Sequence, residues 1–363
     1  MSARIVAILV VLLVVLGGAA LLTQREDSAR RPQNTSTLGQ LLFKDLKAAD
    51  IAQIRIVEPK STLTLSRKED GWVIVERGDF PADFAKVREF VVKAVSLKIA
   101  QSEPVAEKDR ARLSLDDPAK KSETAATQLE FAGADGKPLA KLLIGKKLFR
   151  AEPENPEKAL GDGRFVMLPG DDKSVLMISD PLLQATAKSA EWIDKRAFQI
   201  ERVKTLEVRY PGGDSWRLER AAENAPWKLA KQQPREKLDP SKANAATYSL
   251  SLLDLADVAP KDAGPETTGL DKPTRLDATT LDGLSYMVRI GKLAGDSYYV
   301  SFEQGGTLAK AAKPDDAERI KKIEERLPKD RALAQHVLLV PKSRLEDTLK
   351  KRAELLENRQ AKK

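Results

Sequence analysis

The sequence predicts an α+β fold: an N-terminal transmembrane helix followed by two tandem repeats of a mostly antiparallel sheet with packed helices. Three observations support this: an apolar run near the N-terminus, a set of echoed motifs, and short strand patterns joined by Asp-Gly turns. Hydrophobic residues make up 42% of the 363 residues and charged residues 32%, which is a globular composition. The net charge of +8 is mild and dispersed, so it is not a nucleic-acid signature.

The first element is the apolar run from Ile5 to Leu22, which contains no charged or polar side chain. As a helix it would be about 27 Å long, close to the thickness of the bilayer core. A cleaved signal peptide is the alternative, because small residues stand at positions 17–20. The run is longer than an ordinary signal core and continues through Leu22, which favours an uncleaved anchor over residues 1–23.

The flanking charges bear on orientation. Arg25, Arg30 and Arg31 follow the run, whereas Arg4 precedes it. A strict count of Lys and Arg on the two sides therefore favours keeping most of the chain in the cytoplasm. Long domains translocate largely regardless of such charges, and the lack of cysteine fits an oxidising compartment. We therefore expect a single-pass protein of the cytoplasmic (inner) membrane with most of the chain in the periplasm or extracytoplasmic space. Residues 24–41 are expected to form a flexible linker.

The remaining chain is predicted to be a tandem duplication of one unit, because six motifs recur in the same order. The echoed pairs are Ile51–Ile56 with Val203–Val208, Leu65–Arg67 plus Trp72 with Leu218–Arg220 plus Trp227, Leu115–Pro118 with Leu270–Pro273, Leu143–Lys146 with Arg289–Lys292, Arg164–Val166 with Tyr298–Val300, and Val175–Ile178 with Val337–Val340. This ordered set indicates a first repeat over residues 42–200, a second over 201–358, and a basic tail over 359–363.

Within the first repeat, alternation and turn residues predict the elements in order. We expect strands at 51–57, 62–65, 72–75, 127–131, 139–144, 165–168 and 175–178, a helix at 84–97 capped by Asp83, and a helix from Asp180-Pro181 through Ala190. Asp70-Gly71 and Asp135-Gly136 are the predicted hairpin turns. The second repeat follows this order and ends in a strand at 337–340 and a helix from Ser343 to about Leu356. It also gains an insert at 314–327 that is typical of a charged surface helix.

Some echoed residues have two interpretations. Trp72 and Trp227 could stack on a sugar ring or a partner, but packing between helix and sheet is the simpler role. The Leu-Asp-x-Pro motifs could be ligand loops, although Asp before Pro favours a turn. Gly145 and Gly291 are predicted to end strands with positive φ.

The inventory of reactive side chains is short. The chain has no cysteine, so disulfides, thiolate metal sites and cysteine nucleophiles are excluded, and its one histidine is His336. Phosphate-loop and Gly-x-Ser-x-Gly motifs are absent from the sequence. The carboxylate pairs Asp116-Asp117, Asp171-Asp172 and Asp315-Asp316 allow a hydrolase in principle, but such pairs usually mark solvated turns.

The inventory therefore favours a protein that is not an enzyme, and no residue is assigned as catalytic, cofactor-binding or metal-binding. No cofactor is expected. The basic segment Lys342–Lys363 could contact anionic lipid or an acidic partner, or form a solvated helix with Glu/Lys pairs.

The apolar segment, the duplicated Ile-x-x-Ile-x-Ile…Leu-x-Arg…Trp unit and the Ile-Gly-Lys motifs together resemble a bacterial family. Its members are membrane-anchored proteins catalogued as a domain of unknown function, and their genes often neighbour gliding-motility-type ABC transporters. The resemblance extends from Ile5 to about Leu356, and its motifs are structural. It implies an accessory role beside a transporter permease and its auxiliary subunits in the bacterial envelope, and it supplies no catalytic residues.

Two classes of function follow. The first is a non-enzymatic, membrane-tethered, extracytoplasmic accessory or scaffold protein of an ABC-transporter-associated envelope complex. The second is an extracytoplasmic ligand-binding or carbohydrate-active protein. A pocket with convergent polar residues would favour the second class, and shallow surfaces would favour the first.

Overall fold

The structure is a computed structural model that describes residues 37–120, 122–149, 161–310 and 314–357. Within those ranges, none of the helices combines the length and the apolar character needed to cross a bilayer. The predicted anchor at Ile5–Leu22, most of the predicted linker and the tail at 359–363 lie outside the described residues.

The described chain is mostly strand. The strands are β1 Gln53–Glu58, β2 Ser61–Lys68, β3 Gly71–Ile74, β4 Phe80–Pro81, β5 Ile99–Pro104, β6 Thr127–Ala132, β7 Pro138–Phe149, β8 Gly161–Met167, β9 Ser174–Ile178, β10 Val203–Arg209, β11 Ser215–Glu219, β12 Lys228–Leu229, β13 Asp257–Val258, β14 Thr274–Thr280, β15 Leu284–Ala294, β16 Ser297–Gly306 and β17 Leu338–Pro341. The α-helices are α1 Phe84–Val95, α2 Pro240–Tyr248, α3 Pro265–Thr268, α4 Pro314–Leu333 and α5 Lys342–Leu345. Short 3-10 turns fill several connections.

Two antiparallel sheets organise these strands. Among the described residues, the nine-stranded sheet has the order β4-β3-β2-β1-β6-β7-β8-β9-β5 and the eight-stranded sheet the order β12-β11-β10-β14-β15-β16-β17-β13. If the edge strand β4 is left out, each strand of the first sheet has a counterpart at the same place in the second, from β3 and β12 at one edge to β5 and β13 at the other. The strands that carry the echoed motifs are among these counterparts. The prediction of mostly antiparallel sheets is confirmed, while the described residues contain fewer helices than the predicted sheet-and-helix units would have.

The predicted turns join the expected hairpins. Gly71 starts β3 with φ 136°, and Gly136 lies between β6 and β7 with φ 75°, so both glycines adopt a backbone that other residues rarely take. The strands on either side pair in antiparallel register, with Leu65 opposite Ile74 and Phe131 opposite Ala140.

Helix α1 shows how the apolar spacing becomes packing. Val87, Phe90, Val91 and Ala94 are buried on one face, as the spacing of three and four residues requires. The ring of Phe90 packs on Phe131 of β6 with centroids 6.2 Å apart. The predicted helix at 84–97 is confirmed, two residues shorter than expected.

Contacts divide the chain into two compact units. Of the described residues, those within Met1–Thr64 and Ala85–Ala187 form unit 1, and those within Leu65–Phe84 and Lys188–Lys363 form unit 2. In unit 1, Leu115, Ala126, Met167 and Val175 form a buried apolar cluster. In unit 2, the Phe198 ring stacks on Phe302 with centroids 3.7 Å apart and on Tyr286 at 6.5 Å.

The helix predicted at 180–190 is wrong. Leu182 has φ 45°, which no α-helical residue adopts, and the Asp180 carboxylate accepts a hydrogen bond from the Leu182 amide at 2.7 Å. The carbonyls of Pro181 and Leu182 accept hydrogen bonds from Arg164 at 3.2 Å each instead of forming a helical ladder. A single 3-10 turn at Ser189–Glu191 is all that remains.

The helix predicted at 343–356 is reduced to the single turn α5 and a 3-10 turn at Arg352–Leu355. The carbonyls of Leu349 and Lys350 are taken by side chains: Tyr210 Oη donates to both, at 2.7 and 2.9 Å, and Trp216 Nε1 donates to Lys350 at 2.7 Å. These bonds compete with an uninterrupted helix. The insert helix is confirmed as α4 and is longer than predicted.

Candidate functional site

The Ile-Gly-Lys motifs meet the Leu-Asp-x-Pro motifs, and this explains their glycines. In unit 1, Gly145 lies inside β7 at a bulge between Ile144 and Lys147 rather than at its end. A Cβ atom there would lie 2.5 Å from the carbonyl oxygen of Leu113 and 2.7 Å from Leu115 Cγ. The glycine permits a close backbone approach, and the expectation of a positive φ is wrong.

Unit 2 repeats this contact. Gly291 lies inside β15 at a bulge between Ile290 and Leu293, and a Cβ atom there would overlap the carbonyl oxygen of Thr268. Lys292 extends back over the same turn, and its Nζ donates to the carbonyl of Glu266 at 2.8 Å. The echoed motifs therefore form a packing contact in each unit. The second Leu-Asp-x-Pro segment is a turn, as predicted, whereas the first is irregular, with a β-bridge from Asp116 to Ala125, and leads into a 3-10 turn at Pro118–Lys120.

The echoed Leu-x-Arg…Trp motif places an arginine opposite a tryptophan on neighbouring strands. Arg67 is directly opposite Trp72 across β2 and β3, and Trp72 is 8% exposed. In the second echoed repeat the pairing of Leu218 with Leu229 puts Arg220 opposite Trp227 in the same register. The guanidinium carbon of Arg220 lies 4.5 Å from the Trp227 ring centroid, a cation–π contact. Trp72 is buried and Trp227 half-buried.

The carboxylates singled out in the sequence are engaged in local hydrogen bonds. Asp116 accepts from the Thr124 hydroxyl at 2.6 Å, and Asp117 accepts from the Ala119 amide at 2.9 Å. The Asp171 carboxylate accepts hydrogen bonds from the backbone amides of Lys173 and Ser174, at 3.1 and 3.2 Å. Asp172 lies 3.8 Å from Arg110, and Asp316 lies 2.8 Å from Arg319. Each of these described carboxylates therefore has a partner close by in its own unit.

His336 is half-buried beside the hairpin of β3 and β4. Its ring meets Phe80 edge-on, with centroids 5.0 Å apart. Burial lowers the pKa of His336, and a backbone hydrogen bond with Arg77 and the charge of Asp79 oppose that shift. The histidine is therefore a packing residue of unit 2 that favours its neutral form.

A polar cleft in unit 2 is the strongest candidate for a binding site. Its volume is about 400 Å³, and it lies between the start of β10, the end of β11 and helix α2. The lining residues are Ile200, Glu201, Arg202, Val203, Arg220, Glu223, Asn244, Thr247, Tyr248 and Ser251. Tyr248 is 65% exposed, which is unusual for a large aromatic side chain.

Arg202 is the central cation of the cleft. It has φ 48°, a left-handed conformation that costs free energy for a residue with a Cβ atom. Its Nε donates to Glu223 at 2.9 Å, and its Nη1 pairs with the buried carboxylate of Asp282. Arg319 of α4 also pairs with Asp282, at 3.1 Å. These ion pairs hold Arg202 in its strained conformation.

Arg220 forms the second cationic wall. Its Nε donates to the carbonyl of Val203 at 2.7 Å, and its Nη1 donates to the carbonyl of Glu223 at 2.6 Å. Burial lowers its pKa; the Glu223 charge opposes that shift, and the nearby Arg202 adds to it. Asn244 accepts a hydrogen bond from Trp227 Nε1 at 3.0 Å, so the tryptophan holds the amide in place.

Behind the cleft, α4 brings a second ion cluster. Arg326 lies 3.2 Å from Glu201 and 3.2 Å from Asp330, which is 2% exposed. Burial raises the pKa of Asp330, although Arg326 opposes the shift. Burial also raises the pKa of Tyr286 to about 12. This cluster fixes Glu201 at the rim of the cleft.

The outer face of the second sheet forms a further polar surface, which we call the charged sheet face. It is a lattice of ion pairs among Arg209, Arg217, Arg275, Arg289, Glu207, Asp277 and Glu303. Arg209 lies 2.8 Å from both Glu207 and Asp277, and Arg289 lies 2.8 Å from Glu303. Such pairs at a surface contribute little to stability, so the sheet does not depend on them for its fold.

Sequence reasoning found part of the cleft. Arg220 belongs to an echoed motif. Trp227, the residue predicted as able to stack on a sugar, does not line the cleft and contributes only through its hydrogen bond to Asn244. Arg202, Glu223, Asn244 and Tyr248 were missed because they belong to no motif, and only folding brings them together. In the described part of the chain, no group of three or more His, Asp or Glu side chains has the arrangement of a metal site.

Comparison with known families identifies the class of protein. The family model described as Domain of unknown function (DUF4340) matches residues 72–273, which is more than half of the chain. The chain belongs to this family. Its match begins at Trp72 and ends at Pro273, so it includes the cleft-lining residues of unit 2. Comparisons with curated proteins and with solved structures give no significant match.

Proposed function

We propose that this protein is a non-enzymatic, membrane-tethered accessory or scaffold protein of an ABC-transporter-associated envelope complex. The observation that carries the proposal is the pair of sheets with corresponding strand order that follows one apolar N-terminal segment. A duplicated unit presents two related surfaces on one chain. Two such surfaces can engage neighbouring subunits and raise the effective concentration of the second contact without any new interaction.

The tether is the apolar segment Ile5–Leu22. Its length matches a bilayer core, and no charged residue interrupts it. We place the two folded units on the extracytoplasmic side of the inner membrane, because long domains that follow a first apolar segment translocate largely regardless of flanking charge. The transporter partners, a permease and its auxiliary subunits, come from the family resemblance.

The chemical inventory agrees with a role that needs no catalytic side chain. The Asp116 and Asp171 carboxylates stabilise turns, and His336 packs against Phe80. We therefore expect His336→Ala, and separately Asn at Asp116, Asp117, Asp171 and Asp172, to leave cellular function intact. If one conservative Asp→Asn change abolished function while folding and partner recovery persisted, an enzyme would replace the scaffold in this proposal.

A crosslinking pull-down from membranes tests the scaffold directly. Full-length protein should recover transporter subunits, and reversing two charges of the charged sheet face, Arg217→Glu with Arg289→Glu, should reduce that recovery. The matched control is Lys321→Glu with Lys322→Glu on the exposed side of α4, which changes net charge equally. Recovery of no envelope transport component by the unaltered protein would overturn the proposal.

A further inference from the structure

We propose that the cleft beside Arg202 is a binding site for an uncharged saccharide. Its volume of about 400 Å³ lies within the range of small-ligand sites. This inference concerns unit 2 alone and does not depend on the scaffold role, because a saccharide site is compatible with a tethered protein of either class.

The charge balance of the cleft selects a neutral ligand. Arg202 and Arg220 face Glu201 and Glu223, so the lining carries two cations and two anions. Arg202 is also neutralised by Asp282, and Glu201 by Arg326. A phosphate or a carboxylate ligand prefers a cluster of cations that lacks such internal partners.

The hydrogen-bonding groups suit hydroxyls. A guanidinium has five donors, and two of those on Arg202 and two of those on Arg220 are engaged in the bonds described above. The Glu223 side chain is 53% exposed and supplies acceptor sites beside these donors. A sugar hydroxyl both donates and accepts, so vicinal hydroxyls match a carboxylate and a guanidinium placed side by side.

The aromatic component is Tyr248, which lines the cleft and remains 65% exposed. An aromatic ring with one apolar face and a polar tip suits the C–H face of a pyranose, whose rim carries the hydroxyls. Asn244, held by Trp227 Nε1, adds a side-chain amide on the same helix. The cleft thus combines a stacking platform with a ring of planar polar groups.

Saturation-transfer NMR and tryptophan fluorescence on the full-length protein test the site. The protein is held in a phosphocholine detergent, since glycoside detergents would compete for the cleft. The probes are maltotriose, cellotriose and triacetylchitotriose, with inorganic phosphate as the anionic probe. We expect at least one trisaccharide to bind with a dissociation constant of about 1 mM and to alter the intrinsic tryptophan fluorescence through Trp227, which is hydrogen-bonded to Asn244, while phosphate does not compete.

Variants locate the binding. Tyr248→Ala and Glu223→Gln should each weaken binding about tenfold, which is one decade in dissociation constant. Leu252→Ala is the matched control, because Leu252 is 44% exposed and lies four residues beyond Tyr248 without lining the cleft. Far-UV circular dichroism checks that each variant is folded. The proposal is overturned if none of the trisaccharides binds, if phosphate displaces them, or if Tyr248→Ala binds like the unaltered protein.

Discussion

At the residue scale, Gly145 and Gly291 show why a motif persists in both units. Each glycine faces a backbone carbonyl that leaves no room for a Cβ atom. Gly145→Ala or Gly291→Ala forces the bulge and the facing turn apart, and we expect each to lower the free energy of unfolding of its unit by about 2–4 kcal/mol. Chemical denaturation measures this.

The control for these glycine substitutions is Gly212, which lies in the turn before β11. A Cβ atom at Gly212 meets nothing within 4 Å, and its φ is not in the left-handed region. We expect Gly212→Ala to change stability by less than about 0.5 kcal/mol, as surface substitutions do. Equal destabilisation at Gly145 and Gly212 would contradict the role of the close carbonyl.

His336 gives unit 2 a pH dependence. Burial lowers its folded-state pKa below the ordinary value of 6.5, so the unfolded chain binds the proton more tightly than the folded chain. This contribution to stability is complete above about pH 6.5 and is lost as the pH falls from there through the folded pKa. Thermal unfolding between pH 5 and 7.5 should show a slope that His336→Gln removes. An unchanged slope in the variant would assign the titration to another group.

The residue scale also shows what the sequence can predict. Local signals were sufficient for the Asp-Gly turns and for the burial of Trp72. The close approach at Gly145 could not be predicted, because the facing Leu113 carbonyl is more than thirty residues away and only tertiary packing places it there. The same holds for Arg202, whose partner Asp282 is on a distant turn.

At the element scale, the errors lie where side chains capture backbone carbonyls. Pro181 and Leu182 give their carbonyls to Arg164, a cation 9% exposed, and burial lowers the pKa of Arg164 to about 10. The Pro after Asp180 is a proper helix-start signal, but a long-range donor overrides it. The seven strands predicted in the first repeat are present because alternation and turn residues are local signals, although β5 at Ile99–Pro104 was not predicted. In both wrong helices, a distant side chain takes the backbone carbonyls that a helix would need.

The C-terminal segment provides the matching prediction. Tyr210 Oη donates to the carbonyls of Leu349 and Lys350, and burial raises the pKa of Tyr210 to about 12. Tyr210→Phe leaves these carbonyls without that donor and should cost about 1–2 kcal/mol. Hydrogen exchange should then be faster in residues 342–357 than elsewhere in unit 2. Tyr248→Phe, at an exposed tyrosine, is the control and should leave exchange unchanged.

At the scale of the whole molecule, the same strand order in both sheets agrees with the echoed motifs, which were visible in the sequence alone. The boundaries of the compact units differ from those of the echoed repeats. Residues 65–84 belong to the first echoed repeat, but their contacts group them with residues 188–363. Within unit 2, the Lys261 amide donates to the Glu76 carbonyl at 3.3 Å, and Arg77 lies 3.5 Å from Asp257. Local sequence patterns cannot predict these contacts, because the residues that form them are far apart in the sequence.

The membrane segment yields the last prediction. If Ile5–Leu22 is an uncleaved anchor, the free energy gained by inserting this apolar helix in the bilayer far exceeds that of electrostatic attachment to its surface. The protein should therefore remain in the membrane fraction after high-salt and alkaline washes. A variant with Leu12→Arg and Val15→Arg places two charges at the bilayer centre, each costing about 2.5–3.5 kcal/mol, and should be released or left uninserted. Leu12→Ile with Val15→Leu is the matched control and should fractionate normally.

A C-terminal alkaline phosphatase fusion, active only after export, should be active in the control. A mature N-terminus near Leu21 would instead establish a cleaved signal, and an inactive fusion on an anchored chain would place the folded units on the cytoplasmic side.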